Sequence, residues 1–140
     1  MKKIFTTLLA LCLLNTASFS DVKLGIILGF TGPIESLTPD MAAGAELAID
    51  EINKSKHFSM GKVSGVRADS TCVDSAAATT AAERLITSDR VNGIMGADCS
   101  GVTTAILQQV AMANGMVMVS PSATSPALST VCLLYTSPSP

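Results

Sequence analysis

The chain has 140 residues, with nine lysines and arginines against 11 aspartates and glutamates, one histidine and no tryptophan. Without a basic excess it lacks the electrostatic footprint of a nucleic-acid partner, and a lone histidine excludes the His-rich constellations of most metal and acid–base sites. The length is that of one modest domain.

Met1-Lys2-Lys3 precedes Ile4 to Leu14, an apolar run broken only by Thr6 and Thr7. This basic start and short apolar stretch predict a secretory signal over residues 1–20, too short to span a bilayer. Ser18 and Ser20 flank Phe19 as a small-residue cleavage site, so the exported chain is expected to begin near Asp21 in the periplasm. Residues 132–140, running from Cys132 to a Ser/Pro alternation at Pro140, carry no charge and resemble a translated sequencing-library adaptor. They are expected to be a non-native tail, the alternative being a Pro/Ser linker. That leaves residues 21–131 as a partial lobe, with seven basic residues against 11 acidic ones and a net charge of about −4. Only Cys72 and Cys99 remain there, and in an oxidising compartment a lone pair reads as a disulfide.

Val22 to Leu28 is rich in β-branched residues and nearly continuously apolar at its end, predicting a buried parallel strand. Thr38-Pro39-Asp40 supplies an N-cap, a proline at the first helical position and an early acid. The predicted helix runs to about Ser55, with Met41, Ala45, Ala48, Ile49 and Ile52 inward and Glu46, Asp50, Glu51 and Lys54 toward water. Val63 to Ala68 predicts a second strand. Asp74 and Ser75 can cap a helix through Ile86, whose Ala78, Ala82 and Leu85 make a narrow face for close packing. Val91 to Ala97 predicts a third strand, Ser100 to Asn114 a third helix with Val102, Ile106, Val110 and Ala113 on one side, and Gly115 its stop. Met116 to Val119 predicts a fourth strand. The strict alternation predicts an α/β fold with a parallel, Rossmann-like sheet built from βαβ units.

In open sheets of this kind ligands lie beyond the carboxyl ends of the strands. The loops there are rich in small hydroxyls: Phe30-Thr31-Gly32-Pro33, Asp98-Cys99-Ser100-Gly101 and Ser120-Pro121-Ser122-Ala123-Thr124. Ser100 opens a helix and could hold a carboxylate there, while Ser122 and Thr124 offer acceptors to an ammonium; each of these residues is also a plausible cap or turn former. His57, beside Lys56 and Phe58, reads as a solvated loop residue. No G-x-S-x-G or H-E-x-x-H occurs, Cys72 and Cys99 lack metal-ligand spacing, and Gly25, Gly29 and Gly32 do not form G-x-G-x-x-G. Neither an enzyme nor a bound cofactor or metal is expected.

Taken together, Val22 to Ile27, Thr31-Gly32-Pro33, Ala43 to Ala48, Asp50-Glu51-Ile52-Asn53, Cys72, Cys99-Ser100 and Ser120 to Pro126 resemble the type I periplasmic binding proteins of the branched-chain amino-acid class over about Val22 to Thr130. The resemblance implies two similar α/β lobes that close over a ligand, this chain holding most of the first. It implies a monomer that hands an amino acid or similar small polar ligand to the membrane permease of an ABC transporter. A sensing module of the same fold feeding a receptor or regulator is the alternative. By position, Ser100 resembles the family serine on the ligand carboxylate, Ser122 the residue whose backbone carbonyl takes the ammonium, and Thr124 the threonine beside it. Cys72 and Cys99 match the family's disulfide. Leu37 departs from the pattern, standing where leucine binders often place an aromatic over the ligand side chain.

Overall fold

The computed structural model describes residues 21–55, 58 and 61–131; the predicted signal and tail lie outside them. Strand β1, Val22–Leu28, is hydrogen-bonded on both sides. Its apolar end follows from that central place, since Ile26, Ile27 and Leu28 are all buried. Side chains alternate along a strand, so Ile26 and Leu28 enter one core and Ile27 the other.

Helix α1, Thr38–Lys54, begins one residue earlier than expected, with Leu37 as its N-cap. Thr38 is therefore not the cap: it is fully buried, and its hydroxyl donates to the carbonyls of Gly29 and Glu35 at 3.2 and 3.3 Å. Tethering to the exit of β1 has overridden local capping. Ala42, with Met41, Ala45 and Ile49, packs on Ile26 and Leu28, whereas Ala48 and Ile52 face out. The buried stripe thus runs through Ala42 and omits two of the predicted positions.

Strand β2, Val63–Asp69, pairs with β1 in parallel from Val22↔Val63 to Leu28↔Asp69. Its outer edge is not bare. Asn53 accepts from the Val63 amide and donates to the Val63 carbonyl, both at 2.8 Å, and Arg84 donates to the Arg67 carbonyl at 3.0 Å. Helix α2, Ser75–Thr87, is capped by Asp74, whose carboxylate accepts from the amides of Ala76 and Ala77. Ala78, Ala82 and Leu85 are fully buried as the sequence predicts. The approach is close enough that a Cβ on Gly25 would stand 2.9 Å from Leu85 Cδ1.

Strand β3, Gly93–Gly96, is shorter than predicted, because Val91 still hydrogen-bonds back to Leu85 of the helix. Helix α3, Ser100–Ile106, passes into a π-helical turn, Leu107–Ala111. The wider turn rotates the buried face, so Val110 and Ala111 are inside and Ala113 is exposed. That displaces the predicted stripe by less than a turn. Gly115 ends the segment at φ +60°. Strand β4 is only Met118–Val119, since the Met116 amide is held by Ala111. A 3₁₀ turn at Pro126–Ser129, not anticipated from the sequence, follows. The four strands are all parallel in the order β2-β1-β3-β4. One core lies beneath α2 and α3 and a smaller one beneath α1.

Candidate functional site

Parallel strands deliver their following loops to one rim, and here all four meet. Loop 29–37 is fastened to the end of β2: the Thr31 hydroxyl donates to Asp69 at 2.6 Å and the Thr31 amide at 3.3 Å, while the Thr71 amide donates to the same carboxylate at 2.8 Å. Burial pushes the Asp69 carboxyl up, but these hydrogen bonds outweigh it and hold the group below its usual range. Gly32, at φ +100°, lies so close to the next loop that a Cβ would stand 2.5 Å from the Thr71 carbonyl. Beside this rim Glu46 and Arg67 form a two-point ion pair at 2.6 and 2.8 Å. The Arg67 guanidinium also lies 5.4 Å from the centre of the Phe30 ring. The hydrogen bonds from Arg67 hold the Glu46 carboxyl low.

Cys72 and Cys99 are joined, with Cα atoms 5.2 Å apart, linking the loops after β2 and β3. Cys99 is also the N-cap residue of α3. Its neighbour Asp98 is 3 % exposed. One carboxylate oxygen of Asp98 accepts from the Gly29 amide at 2.8 Å; the other accepts from the Ser70 hydroxyl at 3.2 Å and the Cys99 amide at 3.0 Å. The Asp98 carbonyl accepts from the Ser122 hydroxyl at 2.9 Å.

The three predicted ligand residues come together. Ser100 Oγ accepts from the amides of Thr124 and Ser125, each at 3.1 Å, so both its lone pairs are used. Among the described residues no acceptor takes its hydrogen, which is left to donate outward. The first-turn amides of Ser100, Gly101 and Val102 likewise find no acceptor among the described residues, as expected at a helix start. The Thr124 side chain is exposed, and its hydroxyl bonds to none of the described residues. Ser122 does more than its backbone suggested, because its hydroxyl fixes the loop to Asp98. Ser120 Oγ donates to the Ala97 carbonyl at 2.6 Å and accepts from the Ala123 amide at 2.9 Å, turning the loop over the end of β3.

Sequence reasoning missed Asp98, Ser120 and the Thr31–Asp69 tie. The available signal was an acid at the end of an apolar strand, where an unpaired charge would be costly. Leu37 is 61 % exposed on the same loop system. A groove of about 750 Å³ lies elsewhere, along β2 and α2 between Arg67, Asp74, Thr80 and Arg84, and contains none of the three residues. Among the described residues no group of three or more His, Cys, Asp or Glu gathers as a metal site would require.

Comparison with known proteins gives the same architecture. In the solved structures, a branched-chain amino acid transporter substrate-binding protein from Streptococcus pneumoniae, in complex with isoleucine, superposes with a TM-score of 0.71 at 28% identity, over 79% of this chain and 31% of that one. A leucine-binding protein from Thermotoga maritima gives 0.65 at 30% identity, over 77% and 29%. In sequence, the Leu/Ile/Val-binding protein BraC3 of Rhizobium johnstonii is 30% identical over 132 residues, 91% of this chain and 34% of its own length. Leu/Ile/Val-binding protein homolog 7 of Brucella abortus is 37% identical over 89 residues, 64% of this chain and 22% of the relative. The chain thus spans about a third or less of these relatives. The periplasmic binding protein profile matches residues 21–140, and the chain belongs to that family.

Proposed function

We propose that this chain forms most of the first lobe of a periplasmic solute-binding protein that holds an amino acid by its charged head group and presents it to an ABC-transporter permease. The observation that carries the reading is the meeting of Ser100, Ser122 and Thr124 on one rim, with opposite polarities side by side. The α3 start offers an outward hydroxyl hydrogen and unpaired amides, a surface for a carboxylate. The β4 loop offers the Thr124 hydroxyl oxygen and the Ser122 carbonyl, a surface for an ammonium.

The mechanism is capture without bond chemistry. The disulfide and the loop ties hold the donors in place before the ligand arrives, so little ordering cost falls on binding. A second lobe, implied by family membership and by relatives about three times as long, would close over the side chain. Names of relatives such as the Leu/Ile/Val-binding proteins support a small aliphatic amino acid as ligand.

Calorimetric titration of the full-length protein with L-leucine, L-isoleucine, L-valine and L-threonine tests this. Each binder is paired with its methyl ester, which lacks the carboxylate, and its des-amino acid, which lacks the ammonium. Binding of at least one amino acid with loss of both analogues is expected. A des-amino acid bound as tightly as its parent would overturn the head-group reading.

A further inference from the structure

We infer that Asp98 is a positioning residue that sets the spacing between the two poles of the ligand site. No other described residue reaches all four rim loops: its carboxylate holds Gly29 after β1, Ser70 after β2 and Cys99 after β3, and its carbonyl holds Ser122 after β4. The two sides of the site attach to it separately. Cys99, fixed by the carboxylate, is the residue from which the Ser100 helix starts. Ser122, fixed by the carbonyl, carries the loop with Thr124. The nearly complete burial of Asp98 keeps water from substituting for Gly29 and Ser70 at its carboxylate, and three donors on one carboxylate leave it little freedom to turn.

The chemistry needs a carboxylate here. Gly29 and Cys99 present amide hydrogens to opposite oxygens, so an acceptor is required on each side. Asparagine has the same shape but turns an NH₂ toward one of those amides, donor against donor. The space is also fixed, because a Cβ on Gly29 would come within 3.3 Å of the same carboxylate. The side chain is thus held by the backbone it holds.

The binding arm of the test rests on the amino-acid reading; the exchange arm does not. In full-length protein, Asp98→Asn is compared with Leu85→Val, a core change on α2, which carries no site residue. Amide hydrogen exchange without ligand should speed up by about tenfold or more at Gly29, Cys99, Thr124 and Ser125 in Asp98→Asn, and not in Leu85→Val. The amino acid bound best by the wild type should bind Asp98→Asn at least about tenfold more weakly, the scale of one charge-assisted hydrogen bond, with Leu85→Val unchanged. If Asp98→Asn does not fold, Ser122→Ala, which cuts only the β4 arm, takes its place. It should quicken exchange at Thr124 and Ser125 and weaken binding about threefold.

Exchange and affinity that follow overall stability equally in the Asp98→Asn and Leu85→Val proteins would overturn the inference, as would a Ser122→Ala protein identical to wild type. Should the wild type bind no amino acid, the functional reading fails, while the exchange pattern still decides the role of Asp98.

Discussion

Replacing Ser100 with alanine separates two jobs of one hydroxyl. Its lone pairs are committed to the amides of Thr124 and Ser125 at 3.1 Å each, so toward a ligand it can act only as a donor. On the proposed head-group reading alanine therefore deletes a single hydrogen bond to a charged oxygen, about 1.5 to 3 kcal/mol, or about tenfold to 150-fold in Kd. The two amides lose their acceptor as well. Thr124 is exposed and Ser125 half-buried, so water can replace much of that loss, and it should cost about 0.5 to 1 kcal/mol of stability for each amide. Titration calorimetry with the preferred amino acid reads the first effect, and the thermal midpoint of the ligand-free protein reads the second. A Kd within twofold of wild type would refute the assignment of Ser100 to the carboxylate. An unchanged midpoint would refute its role in holding the β4 loop.

Thr124→Val keeps the shape of an exposed side chain and removes a hydroxyl that has no described protein partner, so binding should weaken about tenfold with no change in thermal midpoint; equal affinity would remove Thr124 from the site. Reducing the Cys72–Cys99 bond opens a loop with a separation of 27 residues, a loss of about 3.5 kcal/mol in the chain-entropy account, measurable by urea unfolding with and without reductant. The carboxyl of Asp69 titrates below its usual range in the folded protein, so its contribution is complete above about pH 3.9 and is lost as pH falls through the lowered folded value. Thr31→Val should move that titration upward in a carboxyl NMR series, and no movement would dismiss the tie. Ala82→Leu, at a fully buried position facing the sheet, should destabilise the protein by about 1 to 3 kcal/mol through overpacking, and a neutral result would mean that α2 can move away from the sheet.

Patterns dictated by one dominant force could be read directly from the sequence. The narrow face of Ala78, Ala82 and Leu85 and the Asp74 cap were legible because burial and capping agree there. Thr38 was misread because the same hydroxyl serves equally as a cap or as a tertiary tether, and only the proximity of Gly29 decides between them. The end of α3 was misread because a 3.6-residue period assumes regular hydrogen bonding, and one π turn is enough to expose Ala113 and bury Ala111. Ser100, Ser122 and Thr124 could be singled out because strand-end loops are where such sheets bind ligands. Asp98 carried only the faint signal of an acid at the end of an apolar strand, since three of its four partners sit 69, 28 and 24 residues away and only the Cys99 amide is adjacent.

Asn53 offers Val63 the same pair of hydrogen bonds that a neighbouring strand would offer, an imitation strand one residue wide. Together with Arg84 on the Arg67 carbonyl, it blocks zippering along the outer margin of β2. The sheet is consequently one-sided. A further strand, whether from the same polypeptide or from a stray copy encountered during folding, can extend it most readily beside β4, where Val117 and Val119 stand in the open. Crowded, newly folding chains would therefore be at risk of mispairing along one border of the sheet instead of two.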